Sequence, residues 1–110
     1  MRFTAALLTL AAVIGGTAAE TNPLPIRICN GINMKGDCIN ENIYLQHQCY
    51  NLNGTPVYGN VRSVSIPAGH RCRFWQSTVC NGDGTGDIQA PGTDSTSYVQ
   101  NGSVKCYANN

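Results

Sequence analysis

Charged residues, aromatic residues and long apolar runs are all scarce in this sequence. Only 12% of the chain is charged and 7% is aromatic. Once Arg2 is set aside, six basic and six acidic residues balance each other. A neutral chain lacks bulk attraction to nucleic acid or anionic lipid, so we expect neither as a partner. Beyond residue 19, no segment approaches the roughly 20 apolar residues that a membrane span needs.

The N-terminal segment has the pattern of a secretory signal peptide. Arg2 supplies the positive start, residues 5–14 are apolar, and residues 17–19 (Thr-Ala-Ala) form a small-residue cleavage site. The apolar run is short for a membrane anchor, and no stop-transfer charges follow it. We predict a signal peptide at 1–19, a single domain at 20–110 and secretion to the extracellular space.

Cysteine is well represented, and every cysteine lies after this segment. An even number in a short secreted chain predicts three disulfides. No two cysteines have C-x2-C spacing, and no histidine stands at zinc-ligand spacing, so we expect neither a metal site nor a cofactor. Spacing alone leaves the pairing open. The six are Cys29, Cys38, Cys49, Cys72, Cys80 and Cys106.

The remaining chain predicts an all-β domain. Residues 26–29, 61–66, 72–74 and 103–106 read as strands, most of them alternating apolar and polar side chains. Asn-Gly occurs four times and marks turns. No window has a helical period, and we expect at most one helical turn, at residues 41–47.

An internal repeat divides the domain. A shift of 46 residues aligns Arg27 with Arg73, and a later shift of 40 aligns Ser63 with Ser103. Each half then has a strand, a hairpin ending in glycine, an irregular middle and a last strand that begins Ser-Val. This order predicts two four-stranded Greek keys packed as a sandwich.

The repeat resembles the βγ-crystallin family. Each motif of that family has an aromatic residue ending its first strand, a second aromatic and a glycine in its hairpin, and a serine opening its last strand. The resemblance spans residues 26–106, and it implies two Greek-key motifs in a sandwich with three disulfides. The cysteine layout is similar to that of small secreted βγ-crystallin-like proteins of fungi. The matching residues are Gly36, Ser63, Trp75, Gly82 and Ser103.

The same resemblance implies the disulfide pairs. In this fold, Cys72 and Cys106 face the core on neighbouring strands. Related plant antimicrobial proteins link the hairpin cysteine, here Cys80, to the third strand of the other motif, and the first hairpin then carries the third bridge. Cys29, Met34 and Cys80 occupy positions where the family has aromatic residues, so disulfides at Cys29 and Cys80 replace aromatic packing there. The implied pairs are Cys29–Cys38, Cys49–Cys80 and Cys72–Cys106.

Many family members bind calcium through two Asn or Asp residues followed, two positions later, by Ser/Thr-Ser. The corresponding segments, 58–63 and 98–103, lack the paired acidic or amide residues, and Arg62 places a cation where a ligand belongs. Because Ca²⁺ requires oxygen ligands, we expect no high-affinity site. We expect Asp83, Asp87 and Asp94 to be solvated loop acids, with weak calcium binding as the alternative.

We expect no enzymatic activity. A Ser-His-Asp triad needs a buried, oriented histidine, whereas His47 and His70 lie among polar or turn-forming residues and are expected to be exposed. Disulfide-bonded cysteines cannot act as nucleophiles. The few carboxylates show no context for glycoside hydrolysis.

The candidate binding residues are Arg71, Arg73 and Trp75. They alternate with Cys72 and so share the opposite face of their strand, where a cation beside an aromatic ring suits a carbohydrate or protein. An ordinary solvated sheet face is the alternative. Asn53 and Asn101 begin N-glycosylation sequons and are candidate glycan acceptors.

The functional prediction is a secreted, monomeric, non-enzymatic binding protein whose partner is an extracellular protein or glycan. The resemblance implies an antimicrobial, toxin-like or host-directed effector role. One alternative is a secreted peptidase inhibitor that inserts residues 83–97 into a protease cleft. Another is an extracellular structural or stress protein.

Overall fold

Eight β-strands form two four-stranded antiparallel sheets in the computed structural model, which describes residues 21–45, 48–96 and 100–109. The predicted signal peptide lies outside these residues. No helix among them is long and apolar enough to cross a membrane. The strands are β1 (Leu24–Cys29), β2 (Cys38–Ile43), β3 (Tyr50–Asn51), β4 (Ser63–Ser65), β5 (His70–Trp75), β6 (Gly84–Gln89), β7 (Gly92–Thr93) and β8 (Ser103–Ala108), with a 3₁₀ turn at Ile32–Met34.

The two halves of the chain exchange their third strands. The first sheet has the order β2-β1-β4-β7, and the second has the order β3-β8-β5-β6. β3, from the first half, places Tyr50 opposite Val104 of β8, while β7, from the second half, places Thr93 opposite Val64 of β4. The predicted sandwich of two Greek-key motifs is therefore confirmed.

The two aligned serines hold equivalent parts of the two motifs together. The Ser63 hydroxyl accepts the N–H of Met34 at 3.0 Å and donates to a hairpin carbonyl at 2.6 Å. The Ser103 hydroxyl accepts the N–H of Cys80 at 2.9 Å and donates to a carbonyl at 2.7 Å. Both serines are fully buried. Each one ties a folded hairpin to the last strand of its own motif.

The hairpins have the same backbone conformation at matching positions. Gly36 and Gly82 have φ of 83° and 81°, in the left-handed region that favours glycine. Met34 and Cys80 also match, with φ of 60° and 57°. The repeat seen in the sequence is therefore a repeat in backbone geometry.

The hydrophobic core lies between the two sheets. The inward positions of β1 and β5 have the same burial pattern, because alternate residues of a strand face the same side. The buried core residues are Leu24, Ile26, Ile28, Ile43, Leu45, Leu52, Val57, Val61, Val64, Ile66, Cys72, Phe74, Val104, Cys106 and Ala108.

His70 is one of these inward residues, so the expectation that it is exposed was wrong. It is only 1% exposed and alternates in register with Cys72 and Phe74. Its Nε2 accepts the N–H of Thr21 at 3.2 Å, and its Nδ1 lies 2.9 Å from the carbonyl of Ala68. A buried histidine with both ring nitrogens bonded to backbone has a structural role.

The single helical turn that the sequence allowed at residues 41–47 does not form where the structure describes this segment. Residues 41–43 belong to β2, because the whole of β2 pairs with β1 from Leu24 opposite Ile43 to Cys29 opposite Cys38. Gln46 and His47 lie outside the described residues. A continuous antiparallel ladder overrides the weak local preference of this segment.

Three disulfides join the pairs Cys29–Cys38, Cys49–Cys80 and Cys72–Cys106, which are the pairs that the resemblance implied. The first and third link residues directly opposite each other on neighbouring strands. The second connects the start of β3 to the hairpin of the other motif. Three bridges in so small a domain indicate an oxidising environment.

Candidate functional site

The outer face of the second sheet brings together the candidate binding residues. Arg71, Arg73 and Trp75 alternate with the inward residues of β5 and therefore lie on this face. Across β5, Arg71 lies opposite Gln89 and Tyr107, and Arg73 lies opposite Asp87 and Lys105. We call this set the cationic face: Arg71, Arg73, Trp75, Asp87, Gln89, Lys105 and Tyr107.

Asp87 holds both arginines of the cationic face. Its two carboxylate oxygens lie 3.3 Å from Arg71 Nε and 3.1 Å from Arg73 Nε. All three side chains are partly exposed, so the ion pairs add little to stability. Their structural effect is to orient two guanidinium groups side by side.

Aromatic rings support the same two guanidinium groups. Arg71 lies 4.9 Å from the centroid of the Tyr107 ring, and Arg73 lies 5.8 Å from that of Trp75. Both distances are within the range of cation–π attraction. Trp75 is largely buried, with 9% of its surface exposed, so it supports Arg73 and offers little surface of its own.

Amide side chains extend the cationic face at its edge. Arg71 Nη1 donates to Asn109 Oδ1 at 2.7 Å, and Asn109 Nδ2 donates to Gln89 Oε1 at 2.7 Å. These exposed groups retain further donors and acceptors for a hydroxyl-bearing ligand. The face therefore combines cations, ring surfaces and amides.

Positive charge predominates on this face. On β5, β6 and β8 it comprises Arg71, Arg73 and Lys105 with a single carboxylate, Asp87, which lies opposite Arg73. No carboxylate in the described part of the chain lies within ion-pair distance of Lys105. Although the formal charges of residues 20–110 balance, the excess of cations on the outer surface of this sheet attracts anions.

The first sheet has no equivalent of this cluster. Arg27 aligns with Arg73, but it lies opposite Asn40 and Ser65 instead of an acid and a lysine. Its Nη1 donates to Asn40 Oδ1 at 3.0 Å. The same backbone therefore supports a neutral-polar surface around one arginine, and the fold itself does not require the cationic face.

Sequence reasoning found the residues of β5 but missed their partners. Lys105 and Tyr107 alternate with Cys106, and that alternation could have placed them outward beside β5. Asp87 gave no comparable signal. It lies in β6, a glycine-rich segment whose composition is typical of a loop.

The three loop acids do not form one site. Asp87 is paired with the two arginines, whereas the carbonyls of Asp83 and Asp94 accept backbone N–H groups of Gln76 and Asn33. The part of the chain that the structure describes contains no group of three or more potential His, Cys, Asp or Glu metal ligands. The solvated-loop expectation fails for Asp87, because its strand lies beside β5.

The segments that correspond to the calcium motif carry other chemistry. Asn60 is exposed, and the half-buried Arg62 stands at a ligand position of residues 58–63, with its Nε buried. In the second segment, Tyr98 and Val99 lie outside the described residues, and Gly102 donates its N–H to the Trp75 carbonyl at 2.7 Å. A guanidinium cannot donate an oxygen ligand to calcium.

The two sequons differ in accessibility. Asn101 is fully buried, and its carbonyl accepts the N–H of Gly59 at 2.7 Å. The folded domain has no room for a glycan on a buried amide, so the expectation for Asn101 is corrected. Asn53 is exposed in the turn after β3, and glycosylation there stays a prediction.

The expected inhibitory loop at residues 83–97 is mostly sheet. Residues 84–89 form β6, which pairs with β5, and residues 92–93 form β7, which pairs with β4. Ser97 lies outside the described residues. A segment committed to two ladders cannot enter a protease cleft as a projecting loop, so this expectation was wrong.

A hydrogen bond links the two sheets at one edge of the sandwich. The Tyr50 hydroxyl of β3 donates to Glu41 Oε1 of β2 at 2.5 Å. This bond to a carboxylate, with smaller effects of burial and of the Glu41 charge, raises the pKa of Tyr50 above its ordinary value. The pair stabilises the exchange of β3 between motifs.

The solved structures similar to this chain are βγ-crystallin domains. The N-terminal domain of Protein S matches with 14% identity and a TM-score of 0.61, covering 76% of this chain and 96% of that chain. A βγ-crystallin domain of Abundant Perithecial Protein from Neurospora crassa, in its Ca²⁺-bound form, matches with 14% identity and a TM-score of 0.61, covering 84% and 98%.

A third structure, from a study of the evolution of the eye lens βγ-crystallin domain fold, has 11% identity and a TM-score of 0.64, covering 84% of this chain and 94% of that chain. No protein-family profile and no curated protein sequence matches this chain. At these identities the likeness concerns architecture alone. The chain has the βγ-crystallin fold, and its function has to be argued from its own residues.

Proposed function

We propose that this is a secreted, non-enzymatic binding protein that acts outside the cell through the cationic face. The observation that carries the proposal is the pair of guanidinium groups that Asp87 orients on the second sheet, which has no counterpart on the first. Groups held in place before binding lose less entropy when a partner arrives.

Secretion is supported by the signal-like N-terminus together with the three disulfides. The resemblance to small secreted fungal proteins with six cysteines supports an antimicrobial, toxin-like or host-directed effector role. The neutral net charge argues against membrane disruption, which usually needs a strongly cationic surface. An extracellular glycan or protein is the proposed partner, and the domain acts as a monomer.

The test is binding of the secreted, oxidised protein to a glycan array, isolated cell walls and surface proteins of target cells. We expect the double variant R71A/R73A to bind at least about tenfold more weakly, because two charge-assisted contacts are lost. Arg27→Ala is the matched control, since Arg27 has the equivalent position on the other sheet. Equal binding by the double variant, or no binding to any of these surfaces, would contradict the proposal.

A further inference from the structure

We propose that Arg73 and Lys105 together bind an anionic sugar unit, so that the partner of the cationic face is a carboxylated or sulfated polysaccharide. This inference rests on the proposed binding function and specifies its ligand. It starts from an unfavourable arrangement, because Arg73 and Lys105 lie directly opposite each other on β5 and β8. The Cβ atoms of residues directly opposite each other lie about 5 Å apart, and like charges at such positions destabilise the strand pair.

The nearby carboxylate compensates for this repulsion only in part. Asp87 lies on the other side of Arg73 and is shared with Arg71. The two arginines therefore share one carboxylate, and Lys105 has no ion-pair partner among residues 21–45, 48–96 and 100–109. An anion between Arg73 and Lys105 would remove the repulsion and contribute new attraction.

Arg73 also has the geometry to bind such an anion. Asp87 engages its Nε, and no hydrogen bond joins its two terminal amino groups to a described residue. Those groups form a planar fork that matches a carboxylate or sulfate. Lys105 supplies a mobile point charge beside the fork.

The size of the face favours a sugar unit over a protein. Neighbouring strands lie about 4.8 Å apart and alternate residues about 7 Å apart, so the cluster covers roughly one or two sugar rings. A stable protein interface buries about 800 Å² on each partner. Among the described residues, the large hydrophobic side chains that are exposed (Ile32, Tyr44, Tyr58 and Val79) all lie outside β5, β6 and β8, so these strands offer a protein partner no exposed side chain of that kind.

The surrounding groups suit the rest of a saccharide. Gln89 and Asn109 offer amide donors and acceptors for hydroxyl groups, and the Arg71–Tyr107 stack offers a flat surface for a ring. A polysaccharide repeats its charged unit along the chain. One polysaccharide chain therefore offers many equivalent positions to a single small site.

The first motif shows that the like-charge pair is dispensable for folding. The residue equivalent to Lys105 is Ser65, which lies opposite Arg27. Lys105→Ser therefore places the first motif's own residue on the second sheet. It removes a proposed ligand contact together with a repulsion, so binding and stability should change in opposite directions.

The experiment measures binding of the secreted, oxidised protein to polygalacturonate, dextran sulfate, neutral dextran and poly-L-glutamate by calorimetry. We expect binding to the first two, weakening with salt, and none to neutral dextran. Lys105→Ser and Arg73→Gln should each bind about tenfold more weakly, while Arg27→Gln should bind as the wild type does. The melting temperature of Lys105→Ser should equal or exceed that of the wild type.

Several results would overturn the inference. Equal binding to neutral dextran would exclude an anionic ligand, and equally tight binding of poly-L-glutamate would point to an acidic protein. If Lys105→Ser binds as tightly as the wild type, or if Arg27→Gln loses as much affinity as the other two variants, Arg73 and Lys105 do not form the binding site. The first three results leave the proposed binding function intact. An equal loss in Arg27→Gln would also count against the cationic face as the binding surface, and absence of binding to every probe and every cell surface would contradict both proposals.

Discussion

The two Greek-key motifs have the same backbone conformation at their hairpins and differ in the side chains on their outer faces. In both, a buried serine bonds the hairpin, and a glycine with positive φ follows in the bend. The outer face around Arg27 is polar and neutral apart from that residue, whereas the face around Arg73 carries three cations. Features present in both motifs are requirements of the fold, and features present in one are free to serve function.

The disulfides also differ between the two motifs at equivalent positions. Cys72 and Cys106 align with Ile26 and Ile66, so a bridge in one motif replaces an apolar pair in the other. Cys29 aligns with Trp75, so a bridge replaces an aromatic ring. Covalent links and packed side chains thus substitute for one another at equivalent positions.

Removal of a disulfide should have the largest effect and should differ between motifs. The Cys72–Cys106 disulfide spans 34 residues, whereas Cys29–Cys38 spans 9. Because a longer loop loses more entropy on closure, removal of Cys72–Cys106 should cost about 4 kcal/mol and removal of Cys29–Cys38 about 3 kcal/mol. Urea unfolding of the two double Cys→Ala variants measures both. A larger loss for Cys29–Cys38 would show that packing, not loop length, decides the cost.

The two buried serines should prove equivalent. Ser63→Ala and Ser103→Ala each leave a hairpin N–H without its acceptor, and each should cost about 2 kcal/mol. Ser65→Ala is the control, because Ser65 is exposed on the same strand as Ser63. Unequal losses in the free energy of unfolding would show that the two serines do not stabilise their hairpins equally.

Replacement of the two hairpin glycines should destabilise the protein by slightly different amounts. Replacement of Gly36 or Gly82 by alanine should cost about 1–2 kcal/mol, since both have left-handed φ. A Cβ at Gly36 would also lie 2.5 Å from Asn30 Oδ1, whereas the space at Gly82 is open. Thermal unfolding should therefore place Gly36→Ala below Gly82→Ala, and the reverse order would contradict this account.

The smallest loss of stability is expected for the hydrogen bond between Tyr50 and Glu41, which links the two sheets. Tyr50→Phe should cost about 1 kcal/mol at neutral pH, because the bond to Glu41 is lost. Since folding raises the pKa of Tyr50, this contribution is present below about pH 10 and disappears as pH rises through the raised value. Unfolding of both proteins at pH 8 and above pH 10 measures the change. A difference that persists at high pH would exclude the hydrogen bond as its cause.

Four of the strands (β1, β4, β5 and β8), the repeat and the bends could be predicted because each depends on local pattern: alternation, glycine position and the Ser-Val start. His70 was misjudged although its alternation with Cys72 places it inward. The exchange of β3 and β7 between sheets, and the meeting of Asp87 with two arginines, could not be predicted. Both arise from pairing between residues far apart in sequence, which alternation does not specify.

Amide chemical shifts of labelled protein during titration with polygalacturonate identify the surface to which the polysaccharide binds. We expect changes at Arg71, Arg73 and Lys105 and along β5, β6 and β8, with β1, β2 and β4 unaffected. Changes centred on Arg27, or spread evenly over both sheets, would contradict the assignment of binding to the cationic face.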